Sequence, residues 1–228
     1  MAPSCHRGGP GTRERRGVEL TWIGHSCFRM RGRDATLVTD PCARASGYSV
    51  NRVTADVVTI SNSHPNHSAV GELAGSPTVL DGPGEYEVQG IIVTGVRTPA
   101  GKAPGTPRNT AYIISVDDIT LCHLGDLASI PTTEQIELMK DVNVLLIPVG
   151  GHCTIGPSEA VEVISQIEPK LVVPMHYATD VSTVELEGVD RFLREMGLTQ
   201  SEPQPRINVT HSSLPSEPTV VLLQYRRS

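Results

Sequence analysis

Residues 143–149 read Asn-Val-Leu-Leu-Ile-Pro-Val, an almost unbroken apolar run too short for an ordinary helix. Such a run is the signature of a strand buried on both faces, so the fold must supply one layer above it and another below. Shorter β-branched runs precede it at residues 19–23, 36–40, 56–61, 78–81 and 90–98, separated by Gly, Pro, Asn or Asp. They read as strands and turns. Residues 110–116 and 119–124 flank Asp117-Asp118 as a hairpin. Residues 171–175 and 219–225 complete the strand pattern.

Helical spacing is concentrated in the second half. Residues 132–140 form one candidate, with Thr133 near its cap. Residues 157–167 are stronger: Pro157 stands at the start, acids fill the first turn, and Val161, Ile164 and Ile167 repeat at helical intervals before Pro169 ends the element. Residues 185–196 are a third, with Gly197 in place to cap the end. The Pro/Ser-rich stretch 199–218 reads as loop. The pattern predicts two sheets with helices outside them, and periodicity alone does not separate this from other α/β layer folds.

With 228 residues the chain can bury a full core, roughly 70% of its unfolded surface. Aromatic residues are only 4% of the chain, so Val, Ile, Leu and Ala must build that core. Residues 1–17 are rich in Gly, Pro and Arg without periodicity and are expected to form a disordered arm; residues 18–228 are expected to form a single domain. A net charge of −6 argues against nucleic acid as a partner. No apolar run reaches the ~20 residues of a membrane span, and the first residues lack a signal-peptide core. A cytoplasmic location, a small-molecule partner and an optional homo-oligomer are the expectations. The five cysteines are widely spread with no CxxC pair, which is neither a disulfide framework nor a cysteine zinc knuckle.

Histidine placement carries the chemistry. His64 and His67 lie in Ser61-Asn62-Ser63-His64-Pro65-Asn66-His67-Ser68, directly after an apolar strand. His123 and Asp126 follow a second strand, and His176 follows a third. Three strand ends bearing His or Asp are what a convergent metal site requires. A lone histidine after a strand is more often a loop or cap residue, and residue types alone leave the two readings about even.

Further landmarks tip the balance. Thr21-Trp22-Ile23-Gly24-His25-Ser26-Cys27-Phe28, Val38-Thr39-Asp40-Pro41, Ala55-Asp56-Val57-Val58-Thr59-Ile60-Ser61, Gly82-Pro83-Gly84-Glu85-Tyr86, Asn109-Thr110-Ala111-Tyr112, His123-Leu124-Gly125-Asp126-Leu127, Leu145-Leu146-Ile147-Pro148-Val149-Gly150-Gly151 and Pro174-Met175-His176-Tyr177 succeed one another through residues 18–180. In order and spacing this resembles the metallo-β-lactamase superfamily, in the branch that includes L-ascorbate-6-phosphate lactonase. The resemblance implies an αββα sandwich: two mixed β-sheets flanked by helices.

It also implies a ligand set. The family's His-x-His-x-Asp-His loop falls on Asn62, His64, Asn66 and His67, so its first His and its Asp are both Asn here. The family's next His falls in residues 99–105, which contain none. The bridging Asp matches Asp126 and the last His matches His176. The surviving metal set is therefore His64, His67, Asp126 and His176, a degenerate motif suited to one divalent ion, Zn or Mn. Asp126 and His64 are the catalytic candidates. Around them are expected Asn62 and Asn66 at the changed positions, His25 hydrogen-bonded to loop backbone, Asp40 at a strand end, His123 behind the site, and His152 beside Cys153 lining the pocket. Gly82-Pro83-Gly84 reads as a turn and not a phosphate loop, and His6 and His211 are expected to face solvent. Two functions follow: a mononuclear hydrolase of a lactone, ester or phosphoester, or a non-catalytic relative kept for binding or assembly after its metal chemistry decayed.

Overall fold

The computed structural model describes residues 17–99 and 108–227. Cys5, His6, nearly all of the expected arm and most of the 99–105 segment lie outside them.

Two mixed sheets face one another, as expected. Sheet 1 has the order β12-β1-β2-β3-β4-β5, from β1 (Val18–Gly24), β2 (Cys27–Arg31), β3 (Thr36–Thr39), β4 (Val57–Thr59), β5 (Thr78–Leu80) and β12 (Ile207–Val209). Sheet 2 has the order β13-β11-β10-β9-β8-β7-β6, from β6 (Gly84–Val88), β7 (Ile91–Thr98), β8 (Asn109–Val116), β9 (Ile119–His123), β10 (Val144–Pro148), β11 (Leu171–Met175) and β13 (Thr219–Val220). The apolar run at 143–149 is β10, buried along its whole length at the centre of the parallel part of sheet 2. Val18, Leu20, Trp22 and Phe28 from sheet 1 share one core with Tyr112, Ile114, Leu121 and Leu146 from sheet 2.

Helices gather on sheet 2. These are α2 (Thr133–Leu138), α3 (Pro157–Ile167) and α4 (Val189–Glu195), and Ala160, Val163, Ile164, Phe192 and Leu193 join the same core. Pro157 opens α3, and Glu159 accepts a bond from the Gly156 N–H, which secures its first turn. Sheet 1 is covered differently. Over β3 and β4 lie the segments 41–53 and 61–74, whose only helical turns are the one-turn α1 (Pro65–Ser68) and two short 3₁₀ turns; they pack Cys42, Tyr48, Val50, Val53 and Leu73 onto Ile23, Val38 and Val58. Among the described residues no helix lies over the outer face of β1 and β2, where Glu19, Thr21 and Arg29 are half-exposed.

Several elements differ from the sequence expectation. β2 and β6 fall where the pattern assigns no strand, and β12 falls in the expected loop 199–218. β2 sits one tight turn after β1, β6 is a half-exposed edge strand carrying charge, and β12 has only three residues and exists because β1 offers an open edge. The final strand shortens from 219–225 to β13, and α4 starts four residues later than 185. Glu187 is taken up by the turn that joins it to Gly150 and Ala178 through backbone hydrogen bonds.

Candidate metal centre

The site lies where β1, β3, β4, β9, β10 and β11 end. β1 runs into Gly24 and His25, and β11 runs into His176; the His176 N–H donates to the His25 carbonyl at 3.1 Å, so the two turns are joined directly. The Trp22 indole N–H donates to the same carbonyl at 3.0 Å. His25, Asp40 and His176 all have left-handed backbone, with φ of 52°, 39° and 51°. Left-handed non-glycine residues are uncommon and gather where surrounding structure enforces a functional geometry.

His64 and His67 come from α1. Pro65 pre-sets its first turn, His64 caps it by accepting the Asn66 N–H on its own Nδ1 at 3.2 Å, and this places His67 on the buried side. His67 is clamped between two carboxylates. Its Nδ1 lies 2.8 Å from Asp40 Oδ2, and its Nε2 lies 3.0 Å from Asp126 Oδ2. Asp40 is itself fixed by the Ser61 N–H and hydroxyl at 2.7 and 2.6 Å. A carboxylate holding the far nitrogen of an imidazole is the usual support for a metal-binding histidine.

Asp126 is positioned by its backbone. Its N–H donates to Asn109 Oδ1 at 2.9 Å, and the Asn109 amide donates to the Leu124 carbonyl at 2.9 Å and to Thr98 Oγ1 at 2.8 Å. Gly125 before it is left-handed at φ 57°, and a Cβ there would run into Ser61 and the Asn109 amide. Asp126 Oδ1 stands 3.2 Å from His176 Nε2 but is misaligned for a hydrogen bond, so this buried oxygen has no partner among the described residues. His176 Nδ1 is likewise buried and unpartnered.

His25, His67 and His176 each offer a ring nitrogen within 4.8 Å of the others. Sequence reasoning placed His25 beside the ligands and His64 among them; the ring nitrogens that approach one another here are those of His25, His67 and His176, and His64 lines the same cavity. The His25 ring is 4.1 Å from His176 and 5.0 Å from His67, while His64 stands 6.3 Å from His67 with Nδ1 turned to its own helix. The signal for His25 was its place in a tight turn at a strand end, like the other candidates. Asn62, Asn66, His152 and Cys153 line the same cavity of about 320 Å³, as does Val184, which sequence reasoning missed. His123 does not line it; fully buried, it bonds the Ser26 carbonyl at 2.8 Å and so supports the His25 turn from behind.

Asn62 has a settled orientation. Its Oδ1 accepts the His64 N–H at 2.9 Å, so its Nδ2 must face Asp126 Oδ2, at 3.1 Å. It turns a donor toward the carboxylate.

The electrostatics are those of a cation site. Burial opposes charge on His67, but Asp126 and Asp40 outweigh it and push the imidazole up to about 10. Burial alone would raise Asp126; His67 and His176 overcome that and hold its carboxyl well below the usual range. Burial, with the neighbouring imidazoles, keeps His25 well below its ordinary value, and burial likewise lowers His176. Two neutral imidazoles, a proton trapped between carboxylates and an orphaned carboxylate oxygen fit a divalent ion, whose ligands must be deprotonated and whose charge replaces that proton. Cys153 fits a nucleophile poorly, since burial pushes its thiol up to about 11.

A two-sheet sandwich with imidazoles and a carboxylate gathered at its strand ends defines a protein of the metallo-β-lactamase fold. Residues 19–176 match the beta-lactamase superfamily domain, and the chain belongs to that family. It is 31% identical over 187 residues to a UPF0173 metal-dependent hydrolase of Methanoculleus marisnigri, covering 71% of this chain and 82% of the relative. The solved structure of a proposed Zn-dependent hydrolase of the metallo-β-lactamase superfamily from Thermotoga maritima superimposes with a TM-score of 0.76 at 36% identity, covering 92% of this chain and 100% of that one. A metallo hydrolase from Ignicoccus hospitalis shares the fold at 20% identity, with a TM-score of 0.61, over 85% of this chain and 98% of its own. Among the described residues no helix is long and apolar enough to cross a membrane.

Proposed function

We propose that the chain is a metal-dependent hydrolase working with one divalent ion, zinc or manganese, held by His25, His67 and His176 with Asp126 beside them. The observation that carries this reading is the convergence of three imidazoles on one cavity around an orphaned carboxylate oxygen. When bound, such an ion supplies Lewis acidity and acidifies water toward neutral pH. Asp126 orients the attacking water by accepting its hydrogen bond, and the water's proton is released to solvent. Asn62 keeps Oδ2 of that carboxylate in place. His64 has Nδ1 occupied by the Asn66 N–H, which leaves its proton on Nε2, where it can pass to the departing oxygen. A single ion is favoured over two because Asn62 points a donor inward where a second ion would need a ligand.

No Lys or Arg lines the cavity among the described residues. This favours an uncharged lactone or ester carbonyl over a phosphoester, and separates the reading from a phosphorylated lactone. Elemental analysis of untagged protein tests it: one zinc or manganese per chain is expected, lost in His67→Ala and His176→Ala together with hydrolysis of simple esters and lactones. Protein that takes up no metal after supplementation would make this a binding protein on a hydrolase frame.

A further inference from the structure

Four arginines from distant parts of the chain converge on a second cavity, on the open outer face of sheet 1. Arg29 comes from β2, Arg52 from the segment covering β3 and β4, Arg206 from the turn before β12, and Arg226 from the last residues; together they border about 390 Å³. The floor is the outer face of β1, with Arg29 directly across from Thr21. One carboxylate is present, Glu19, and it is already engaged by Arg206 at 2.8 Å. Among the described residues, Arg29, Arg52 and Arg226 have no carboxylate within 4.0 Å. Arg29 is half-buried, and the other three are exposed.

Like charges brought together over a concave surface repel one another, and the repulsion grows where part of the surface is shielded from water. Composition does not force this arrangement, because the chain has 25 acidic residues against 19 Lys and Arg. We propose that this cavity binds a phosphate-class oxyanion. The planar guanidinium fork matches such an anion bidentately, and three arginines bordering one space, with no carboxylate partner among the described residues, supply the charge it needs. The volume lies in the small-ligand range of roughly 300–1,000 Å³. A long polyanion would have to extend from the cavity over a chain whose net charge is negative, so a small ligand is the occupant.

The test is calorimetric titration of the full, metal-loaded chain with inorganic phosphate, against sodium chloride at equal ionic strength. Saturable binding of one phosphate is expected, retained in His176→Ala and weakened about tenfold in Arg226→Gln and again in Arg29→Gln. Arg226 is exposed, so its variant folds even where the Arg29 variant does not. Metal content stays unchanged in both arginine variants. Titration with glycerol phosphate identifies the source of the oxyanion: tighter binding than phosphate assigns the site to an organic phosphoester, and equal or weaker binding to the free ion. Heat reproduced by chloride, phosphate binding untouched by Arg226→Gln, or binding abolished by His176→Ala would overturn the proposal. So would tight binding of an oligoribonucleotide with none of phosphate.

Discussion

His67 concentrates the electrostatics of the metal centre, and its two carboxylates give the protein an unusual dependence on pH. Its value in the folded chain is raised to about 10 from an ordinary 6.5. The stabilisation it contributes is therefore complete below about 6.5 and lost as pH rises through about 10. His25 and His176 have the opposite sign. Their folded values are lowered, so the unfolded chain binds more protons and stability falls as pH drops below about 6.5. Metal-free protein is expected to show a urea midpoint that declines on both sides of neutrality, and His67→Ala should flatten the alkaline limb. Metal affinity should rise with pH over the same range, because the ion must displace the His67 proton. A midpoint independent of pH between 7 and 10 would contradict the clamped imidazolium.

At the scale of elements, the site depends on short turns at strand ends, and Asn109 ties several of them together. Its amide spans Thr98 at the end of β7, Leu124 just past β9, and the Asp126 backbone. Asn109→Ala leaves buried groups unpaired at roughly 1–3 kcal/mol each. The expected outcome is a stability loss of about 2–4 kcal/mol, read from denaturant midpoints, and about tenfold weaker metal binding in a chelator competition. This residue was visible in the sequence only as part of a family landmark, since nothing local marks a buried amide as a fastener. Elements with their own local logic were legible: α3 through its proline, acids and apolar spacing, β10 through its unbroken run, and the β8–β9 hairpin through Asp117-Asp118, both left-handed as such a turn requires. His67, Asp126 and His176 stood out because each comes soon after a strand, and only the family resemblance made them a ligand set. The approach of His25 to His67 and His176, with His64 spending a nitrogen on its own helix, could not be read in the sequence, because it turns on side-chain rotamers and not on spacing.

For the whole molecule, the two sheets are completed by the same late stretch of chain. β12 closes the open edge of β1 in sheet 1, and β13 closes the edge of β11 in sheet 2, scarcely ten residues later. The Arg226 N–H then returns to the Trp22 carbonyl, behind the turn that carries His25. A chain stopped after residue 200 keeps every candidate metal ligand yet leaves both edges unpaired. It is expected to lose cooperative unfolding and to bind metal poorly, as measured by circular dichroism melting and metal retention on desalting; native-like melting would show that the late strands are dispensable. A growing polypeptide on the ribosome meets the same situation in time. Its first strand, Val18–Gly24, emerges long before Ile207–Val209, its outer neighbour, so this sheet closes only after the strands between them have been made, an interval in which a chaperone holding the nascent chain has the most to protect.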